Sequence, residues 1–318
     1  MKLWKYIETN LNEDHQVVLM IVTENHGSSP GKKGFKMAVS DDGSIFGSIG
    51  GGVMERNLVE KCRQLLQTKK DTAFLFEQDH HAKFGKNASG MICSGKQTIA
   101  FFTLGKKQLS SIQEIILSIE QDTAGVLRVS KEQFLFEKEK VLSEGNQSGE
   151  QSGEEWEYTE QLGLPDKLFI FGAGHVGLAL SRVFSMLDFQ VSVFDNRTGL
   201  NTFEENTFAD HKMIIDFKKI ENLIPEGENI YVVVMTFAHK NDEMIVRQLL
   251  SKKIKYLGMM GSEMKVKTIF DTLRNEGFRQ NLLDKVDAPI GLEIDSETPA
   301  EIAISIAAKI ISIKRAAG

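Results

Sequence analysis

The chain of 318 residues is long enough for two ordinary domains, and its 41% apolar and 26% charged residues are typical of a soluble globular protein. The net charge is −6, so the chain lacks the excess of basic residues that is typical of a nucleic-acid-binding protein. The longest apolar run, Val17–Val22, is far too short to span a bilayer. Cys62 and Cys93 cannot build a disulfide framework and the N-terminus lacks a signal-peptide core, so we expect a cytoplasmic protein without nucleic-acid or membrane partners.

Residues 1–137 combine helical and strand-like patterns and predict a small α+β domain. The chain opens with apolar residues at helical spacing, and a second helix is predicted to begin after the glycine run Gly50–Gly52. The predicted strands are Gln16–Thr23, Phe35–Ser40, Ser44–Ile49, Thr72–Phe76 and Gln97–Leu104, and the later helices are Val53–Thr68 and a segment near Gln108–Glu120.

Three loops of this domain carry small residues that leave the backbone open to a ligand. His26–Gly34 combines glycine, serine and lysine, and Gly50–Gly52 lies at a helix start, where unpaired N–H groups favour an anion. Glu55, at the third helical position there, either caps the helix start or reaches a ligand. Ser89–Gly95 contains Cys93, whose thiolate would suit a soft metal or a sulfur-bearing ligand, although a loop cysteine also serves as a small apolar filler.

The clearest candidate domain boundary in the sequence is Glu137–Glu160, where glutamate, glycine, serine and glutamine dominate and few apolar residues are available for burial. Such a composition is typical of a solvated linker or a long hairpin tip. We therefore expect an N-terminal domain over 1–137, a linker or extended connection over 138–164, and a C-terminal domain over 165–318.

After this boundary, apolar strand-like runs alternate with helical patterns. This alternation predicts an α/β domain with a doubly wound parallel sheet. Its strands are expected at Lys167–Phe171, Gln190–Asp195, Lys212–Asp216, Asn229–Thr236 and Ile254–Met259.

A glycine pattern follows the first of these strands. Gly172, Gly174 and Gly177 are spaced as G-x-G-x-x-G at a predicted helix start, and Asp195 ends the next strand about 20 residues further on. This context is typical of a Rossmann-like turn that holds a dinucleotide phosphate, in which an acid at the position of Asp195 accepts a hydrogen bond from a ribose hydroxyl. His175 and Arg197 fit a plain NAD site less well, because they place a polar ring beside the phosphate and a cation beside the acid. The alternatives are a solvent-facing His175 and a simple capped turn before Arg197.

Ligands of an open parallel sheet bind beyond the carboxyl ends of its strands, so further loops are expected at that edge. Thr236–Asp242, which includes His239, follows the fourth predicted strand. Gly261 and Ser262, with Lys265 one turn later, follow the fifth and make either a second anion cradle or a plain N-cap.

Taken together, these motifs resemble the XdhC/CoxI family, the xanthine dehydrogenase accessory proteins. The matching stretches occur in the family's order: Gly27–Met37, Gly47–Glu55, Ser89–Gly95, Phe171–Leu180, Val193–Arg197, Gly258–Ser262 and Ala288–Ile306. The chain departs from the family pattern at Gly31, where arginine is common, and keeps only Lys265 of a basic pair after the sixth stretch.

The resemblance implies a C-terminal Rossmann-like doubly wound parallel sheet with a smaller N-terminal α+β domain. It also implies a protein that binds molybdenum cofactor and delivers it, in sulfurated form, to a molybdenum hydroxylase such as xanthine dehydrogenase. A cysteine desulfurase and a second copy of the chain are further candidate partners. By position, the family's contacts fall on Gly27, Ser28, Ser29, Gly50, Gly51, Glu55, Gly172, Gly174, His175, Gly177, Asp195 and Arg197, and the loops themselves add Cys93, His239, Gly261 and Ser262.

Two other functions are compatible with the same loops. An NAD(P)-dependent oxidoreductase would use the glycine loop with His239 or His175 as general acid, and a nucleotide-sensing regulator would use it without chemistry. A cofactor carrier requires no turnover. It does require that the loops of both domains converge on one anionic ligand, whether molybdopterin itself or its dinucleotide form.

Overall fold

The computed structural model describes residues 1–79, 95–140, 142, 147–152 and 155–315, without the side chains of 79, 147–152 and 315. The chain divides into two compact units, Met1–Leu164 and Pro165–Gly318. The predicted contact Cys93 and most of its loop, Ser89–Gly95, lie outside the described residues. Among the described helices, none combines the length and the hydropathy that a bilayer span requires.

The N-terminal unit contains, in chain order, α1 (Lys2–Asn12), β1 (Val17–Gly27), β2 (Lys36–Ser40), β3 (Ile45–Gly47), α2 (Gly52–Gln67), β4 (Ala73–Asp79), β5 (Gly95–Leu104), α3 (Leu109–Glu120), β6 (Gly125–Ser130), β7 (Phe134–Lys138), β8 (Gln147–Ser152) and β9 (Glu155–Leu162). Its strands form two sheets, with the orders β3-β2-β1-β5-β4 and β7-β6-β9-β8. Every pairing in both sheets is antiparallel. The predicted hairpin is present, since Val39 of β2 pairs with Ile45 of β3.

Strand β1 accounts for the longest apolar run of the sequence, because it is buried on both faces of its sheet. Val18 and Met20 lie on one face, where they share a core with Met54 of α2. Val17 and Leu19 lie on the other face and share a core with residues of α1, α3 and the second sheet. Successive residues of a strand point to opposite faces, so a strand covered on both faces is apolar at every position.

The segment 138–164, expected as a linker or extended connection, contributes two strands, β8 and β9, to the N-terminal unit. β9 pairs with both β6 and β8, and its Trp156 and Tyr158 are buried in the core of that unit. Glu155 and Glu157 alternate with these aromatic residues and are less buried. The polar composition therefore reflects a strand with one face in the core, in which only alternate residues need to be apolar.

The C-terminal unit contains β10 (Lys167–Phe171), α4 (His175–Met186), β11 (Gln190–Asp195), α5 (Asn201–Glu204), β12 (His211–Ile214), β13 (Gly227–Val234), α6 (His239–Leu249), β14 (Ile254–Met259), α7 (Glu263–Asn275), α8 (Gln280–Leu283), β15 (Val286–Asp287) and α9 (Pro299–Arg315). Its strands pair in parallel in the order β12-β11-β10-β13-β14-β15. This is the strand order of a Rossmann fold, and the predicted α/β class is confirmed.

Helices cover both faces of this parallel sheet. Phe184 of α4 and Ile306 of α9 share a core on one face, and Ile245 of α6 and Ile269 of α7 share a core on the other. The chain starts in the middle of the sheet at β10, proceeds outward to β12, and then crosses to β13 on the opposite side of β10. The strand order thus reverses between β10 and β13, and a ligand crevice is expected at the carboxyl ends of these two strands.

Candidate functional site

The glycine loop connects β10 with α4, at the reversal of the strand order. Gly172 has a φ of +122°, and a Cβ there would stand 2.3 Å from the carbonyl oxygen of Met235 in the neighbouring loop. A Cβ on Gly177 would stand 2.2 Å from the carbonyl oxygen of Gly172. The fold itself therefore requires these two glycines, because any side chain would collide with backbone.

Gly174 has a different environment. It is the N-cap of α4, its φ of −74° suits any residue, and a Cβ there would meet no described atom within 4 Å. Gly174 has no side chain with which to cap this end of α4. The first N–H groups of a helix have no acceptor within the helix and lie at the positive end of its dipole, so they attract an anion. Packing within the protein therefore does not require glycine at position 174. An anion bound to these N–H groups would favour glycine, because a side chain would occupy the space beside them.

Asp195 is buried at the end of β11 and accepts hydrogen bonds from its own loop and from the glycine loop. The N–H of Ala173 donates to Oδ2 at 2.8 Å, and the N–H of Arg197 donates to Oδ1 at 3.0 Å. The guanidinium of Arg197 donates to both oxygens at 2.9 Å. Burial acts to raise the pKa of Asp195, but the hydrogen bonds from Arg197 and Ala173 outweigh it and hold the pKa below its usual value. The carboxylate is thus engaged with the glycine loop and Arg197.

A second polar cluster joins the loop after β13 to the start of α7. Asp242 of α6 is fully buried and accepts hydrogen bonds from the Thr236 N–H at 2.9 Å and the Thr236 hydroxyl at 2.6 Å. The ammonium of Lys265 donates to the same carboxylate and, at 2.9 Å, to the Met260 carbonyl oxygen. Lys265 is therefore committed to contacts within the protein, and Thr236 and Asp242 close the loop that they flank.

The remaining predicted residues of this unit lie at helix starts. His175 and His239 are the first residues of α4 and α6, and both are exposed. Ser262 caps α7 by accepting a hydrogen bond from the Lys265 N–H at 3.4 Å, and a Cβ on Gly261 would stand 2.7 Å from the Lys265 side chain. These contacts favour the N-cap role of Ser262 over an anion cradle at α7.

In the N-terminal unit, close backbone packing brings the predicted loops together. A Cβ on Gly50 would stand 2.7 Å from the side chain of Pro30, and one on Gly31 would stand 2.3 Å from a backbone oxygen of the opposite loop. Gly95, the last residue of the third motif, packs beside them, since its Cβ would stand 2.7 Å from the backbone nitrogen of Ser29. The backbone therefore leaves no room for a side chain at position 31.

The predicted contacts of the first loop differ in exposure. Gly27 and Ser28 are exposed, whereas Ser29 is buried and its hydroxyl donates to the Gly31 carbonyl oxygen at 2.8 Å. Ser29 therefore shapes its own loop. Within this loop, Gly27 and Ser28 are open to a ligand.

Glu55 acts on the glycine run that precedes it. Its Oε2 accepts hydrogen bonds from the Ser48 hydroxyl at 2.7 Å, the Ile49 N–H at 2.9 Å and the Gly51 N–H at 3.0 Å. The N–H of Gly50 donates to the Ser48 hydroxyl at 3.2 Å. The structure thus adopts the capping alternative for Glu55, whose carboxylate accepts the N–H of Gly51, the residue before α2.

The predicted residues form two groups, one in each unit: the loops around Gly27, Gly50 and Gly95, and the glycine loop with Asp195 and Arg197. Across the described ranges, no group of three or more histidine, cysteine, aspartate or glutamate side chains is placed to hold a metal ion. That both groups contact one ligand stays a prediction.

Sequence reasoning does not single out one residue at the ligand edge of the parallel sheet. Phe237 follows β13 and is 85% exposed, and Arg197 Cζ lies over its ring, 5.4 Å from the centroid. The sequence contained one signal for Phe237, namely an aromatic residue in a polar loop directly after a buried strand.

The fold and the glycine loop define a class of protein: a Rossmann domain with a glycine-rich turn after its first strand, preceded by an α+β unit. The model of the XdhC Rossmann domain matches residues 168–310, and the model of the XdhC and CoxI family matches residues 11–77. The chain belongs to the XdhC and CoxI family, as its motifs predicted.

The chain is 23% identical over 336 residues to a probable xanthine dehydrogenase subunit of Bacillus subtilis (strain 168), covering 97% of this chain and 96% of that protein. It is 26% identical over 296 residues to the uncharacterized protein YqeB of Escherichia coli (strain K12), covering 92% of this chain and 42% of YqeB. The chain thus spans less than half the length of YqeB. A crystal structure of a xanthine dehydrogenase from Bacillus halodurans has the same fold, with a TM-score of 0.77 at 22% identity, covering 99% of this chain and 96% of that one.

Proposed function

We propose that this protein binds the molybdenum cofactor, with a cofactor phosphate on the glycine loop of its Rossmann domain. It then delivers the cofactor, in sulfurated form, to a molybdenum hydroxylase of the xanthine dehydrogenase type. Membership of the XdhC and CoxI family and similarity to a probable xanthine dehydrogenase subunit support an accessory role to such an enzyme. In this role the chain binds, orients and releases a group, and it needs no catalytic residue of its own.

The observation that carries the proposal is the open N-terminus of α4. The sequence offered three helix starts as anion sites. Ser262 accepts a first-turn N–H of α7, and Glu55 accepts the N–H of Gly51, the residue before α2. At α4 the N-cap residue is Gly174, which has no side chain to cap the helix and leaves open space beside it. A phosphate fits this cradle because it supplies the negative charge and the acceptor oxygens that the helix N-terminus lacks.

By sequence, the loops of the N-terminal unit are further candidate contacts of the cofactor. Gly27 and Ser28 are exposed there, and the thiolate of Cys93 is the candidate contact for the sulfur or the metal. When bound, the cofactor supplies the molybdenum and the sulfur that the client enzyme uses. A cysteine desulfurase as sulfur donor and a homodimeric carrier are parts of the same proposal.

A second function, NAD(P)-dependent oxidoreduction, is favoured by the Rossmann strand order and by the position of Asp195 at the end of β11. In an NAD site an acid at this position meets a ribose hydroxyl. Here the carboxylate already accepts hydrogen bonds from Ala173 and Arg197, which is the observation that ranks this function second.

The test is a binding titration of the full-length protein. Molybdenum cofactor released from a donor enzyme, read as its fluorescent oxidised pterin, is titrated in parallel with NADH and NADPH. The Gly174→Ser variant keeps a good N-cap residue but places a side chain in the cradle, so the affinity for cofactor is expected to fall more than about tenfold, or about 1.4 kcal/mol. Gly105→Ser is the matched control, because Gly105 also has an ordinary φ of −138° and no described atom within 4 Å of a Cβ.

Two outcomes contradict the proposal. Saturable binding of NADH or NADPH without retention of the pterin establishes the second function instead. Equal cofactor affinity of the Gly174→Ser variant and the unaltered protein removes the glycine loop from the binding site.

A further inference from the structure

Phe237 is the most exposed large apolar side chain in the described part of the chain, at 85%. It belongs to neither of the apolar cores that the described residues form on the two faces of the parallel sheet. The residue lies two positions after Met235, whose carbonyl oxygen packs against Gly172 at the start of the glycine loop. An exposed aromatic ring therefore lies at the carboxyl edge of the sheet, beside the loop proposed to hold a phosphate.

One face of the Phe237 ring is backed by a fixed cation. Arg197 Cζ lies 5.4 Å from the ring centroid, a geometry typical of a cation–π contact. Arg197 is held in place by its two guanidinium hydrogen bonds to Asp195, and Asp195 is held by the N–H of Ala173 within the glycine loop. The position of the ring is thus coupled, through two buried or half-buried side chains, to the backbone that would bind the phosphate.

The arrangement has the parts of a stacking platform. Proteins that bind single-stranded nucleic acids without sequence preference stack the bases on aromatic side chains, often with a cation–π contribution from arginine. A single ligand that carries a phosphate and a planar ring would have one group for α4 and the other for Phe237. Leucine or methionine would supply the apolar area at position 237 but not the flat π surface.

We propose that Phe237, backed by Arg197, stacks on the planar heterocycle of the ligand whose phosphate lies at the N-terminus of α4. This inference rests on the proposed function, and it assigns to the same site a second recognition element for a fused heteroaromatic ring, of the purine or pterin class. Phe237 binds and orients the ring, and it takes no part in chemistry.

The test compares ligands with and without a ring. Affinities of the full-length protein for AMP, for molybdenum cofactor and for ribose 5-phosphate are measured by calorimetry or fluorescence, for the unaltered protein and for its variants. Phe237→Leu is expected to weaken the binding of a ring-bearing ligand on the order of tenfold and to leave that of ribose 5-phosphate unchanged. Met264→Ala is the matched control, since Met264 is an apolar residue 75% exposed at the start of α7.

A spectroscopic variant gives a direct readout of stacking. Phe237→Trp is expected to retain the affinity for the ring-bearing ligand and to show fluorescence quenching when the ring binds. The two native tryptophans, Trp4 and Trp156, are buried in the N-terminal unit and serve as a constant background. The AMP and cofactor arms separate a purine from a pterin as the ring that is preferred.

The outcomes separate this inference from the proposed function. If Phe237→Leu binds all three ligands as the unaltered protein does, or if Phe237→Trp shows no quenching at saturation, the platform is refuted while phosphate binding stands. If Gly174→Ser leaves affinity unchanged but Phe237→Leu lowers it for ring-bearing ligands, the platform stands and the phosphate assignment fails. If none of the three ligands binds, both proposals fall.

Discussion

Replacing Lys265 with methionine is expected to destabilise the C-terminal unit strongly. The substitution keeps the length of the side chain but leaves the carboxylate of Asp242, which is fully buried, without its cation. Two hydrogen bonds from Thr236 remain, and neither of them supplies a positive charge. Breaking a buried ion pair by removing one partner typically costs about 3–5 kcal/mol, because the other charge stays buried.

The lower end of that range applies here, because the Lys265 side chain is 25% exposed and water reaches part of the site. We therefore expect Lys265→Met to lower the free energy of unfolding by about 3 kcal/mol. In a domain of this size, that corresponds to a fall in the thermal midpoint of roughly 6–12 °C. Urea unfolding followed by circular dichroism, supported by a thermal scan, measures both quantities.

The matched controls make the interpretation specific. Lys267 is exposed on the same helix, so Lys267→Met is expected to change stability by less than about 0.5 kcal/mol. The double variant Asp242→Asn/Lys265→Met removes both charges and is expected to be more stable than Lys265→Met alone. A cost below about 1 kcal/mol for Lys265→Met, or a double variant less stable than the single one, would refute the assignment of Lys265 as a structural cation.

Three further predictions concern single residues. Gly177→Ala is expected to lower the free energy of unfolding by about 1–3 kcal/mol, because its Cβ would stand 2.2 Å from the Gly172 carbonyl oxygen; unchanged urea unfolding would contradict this. Glu55→Ala is expected to cost about 1–3 kcal/mol in the same assay, because donors of the glycine run lose their acceptor, and Glu55→Gln should cost less. Burial raises the pKa of Cys62 to about 12, so in a Cys93→Ser background no thiol should react with a thiol reagent at about pH 8 until denaturant is added.

The parallel strands were the most predictable part of the fold. The predicted strands Lys167–Phe171, Gln190–Asp195 and Ile254–Met259 coincide with β10, β11 and β14. Each is a short run that the sheet buries on both faces, so its apolar composition contrasts with the loops that bound it. β15 was missed, because it pairs through only two residues, Val286 and Asp287, and so few residues carry no pattern.

The glycine motifs predicted where loops lie but not whether their N–H groups are free. The same signal, glycines before a helix, occurs at α2, α4 and α7, yet only the structure shows that Glu55 accepts the Gly51 N–H before α2 and that Ser262 accepts the Lys265 N–H of α7. Such contacts depend on the rotamer of a side chain and on backbone placement, neither of which the spacing of residues determines. For the same reason, Phe237 became a candidate only through its exposure and its contact with Arg197.

The pH dependence of stability tests whether Arg197 is a structural cation paired with Asp195 or a cation that binds the ligand. Because the folded-state pKa of Asp195 is lowered, its carboxylate stabilises the fold above the unfolded-state pKa of about 3.9, and this contribution disappears as the pH falls through the lower folded-state value. Asp195→Asn is therefore expected to be about 1–3 kcal/mol less stable at about pH 7, with a deficit that shrinks below about pH 4. Arg197→Met should be at least as unstable at neutral pH, since it leaves a buried carboxylate unpaired. A fully stable Arg197→Met variant that has lost ligand affinity would instead identify Arg197 as a ligand contact.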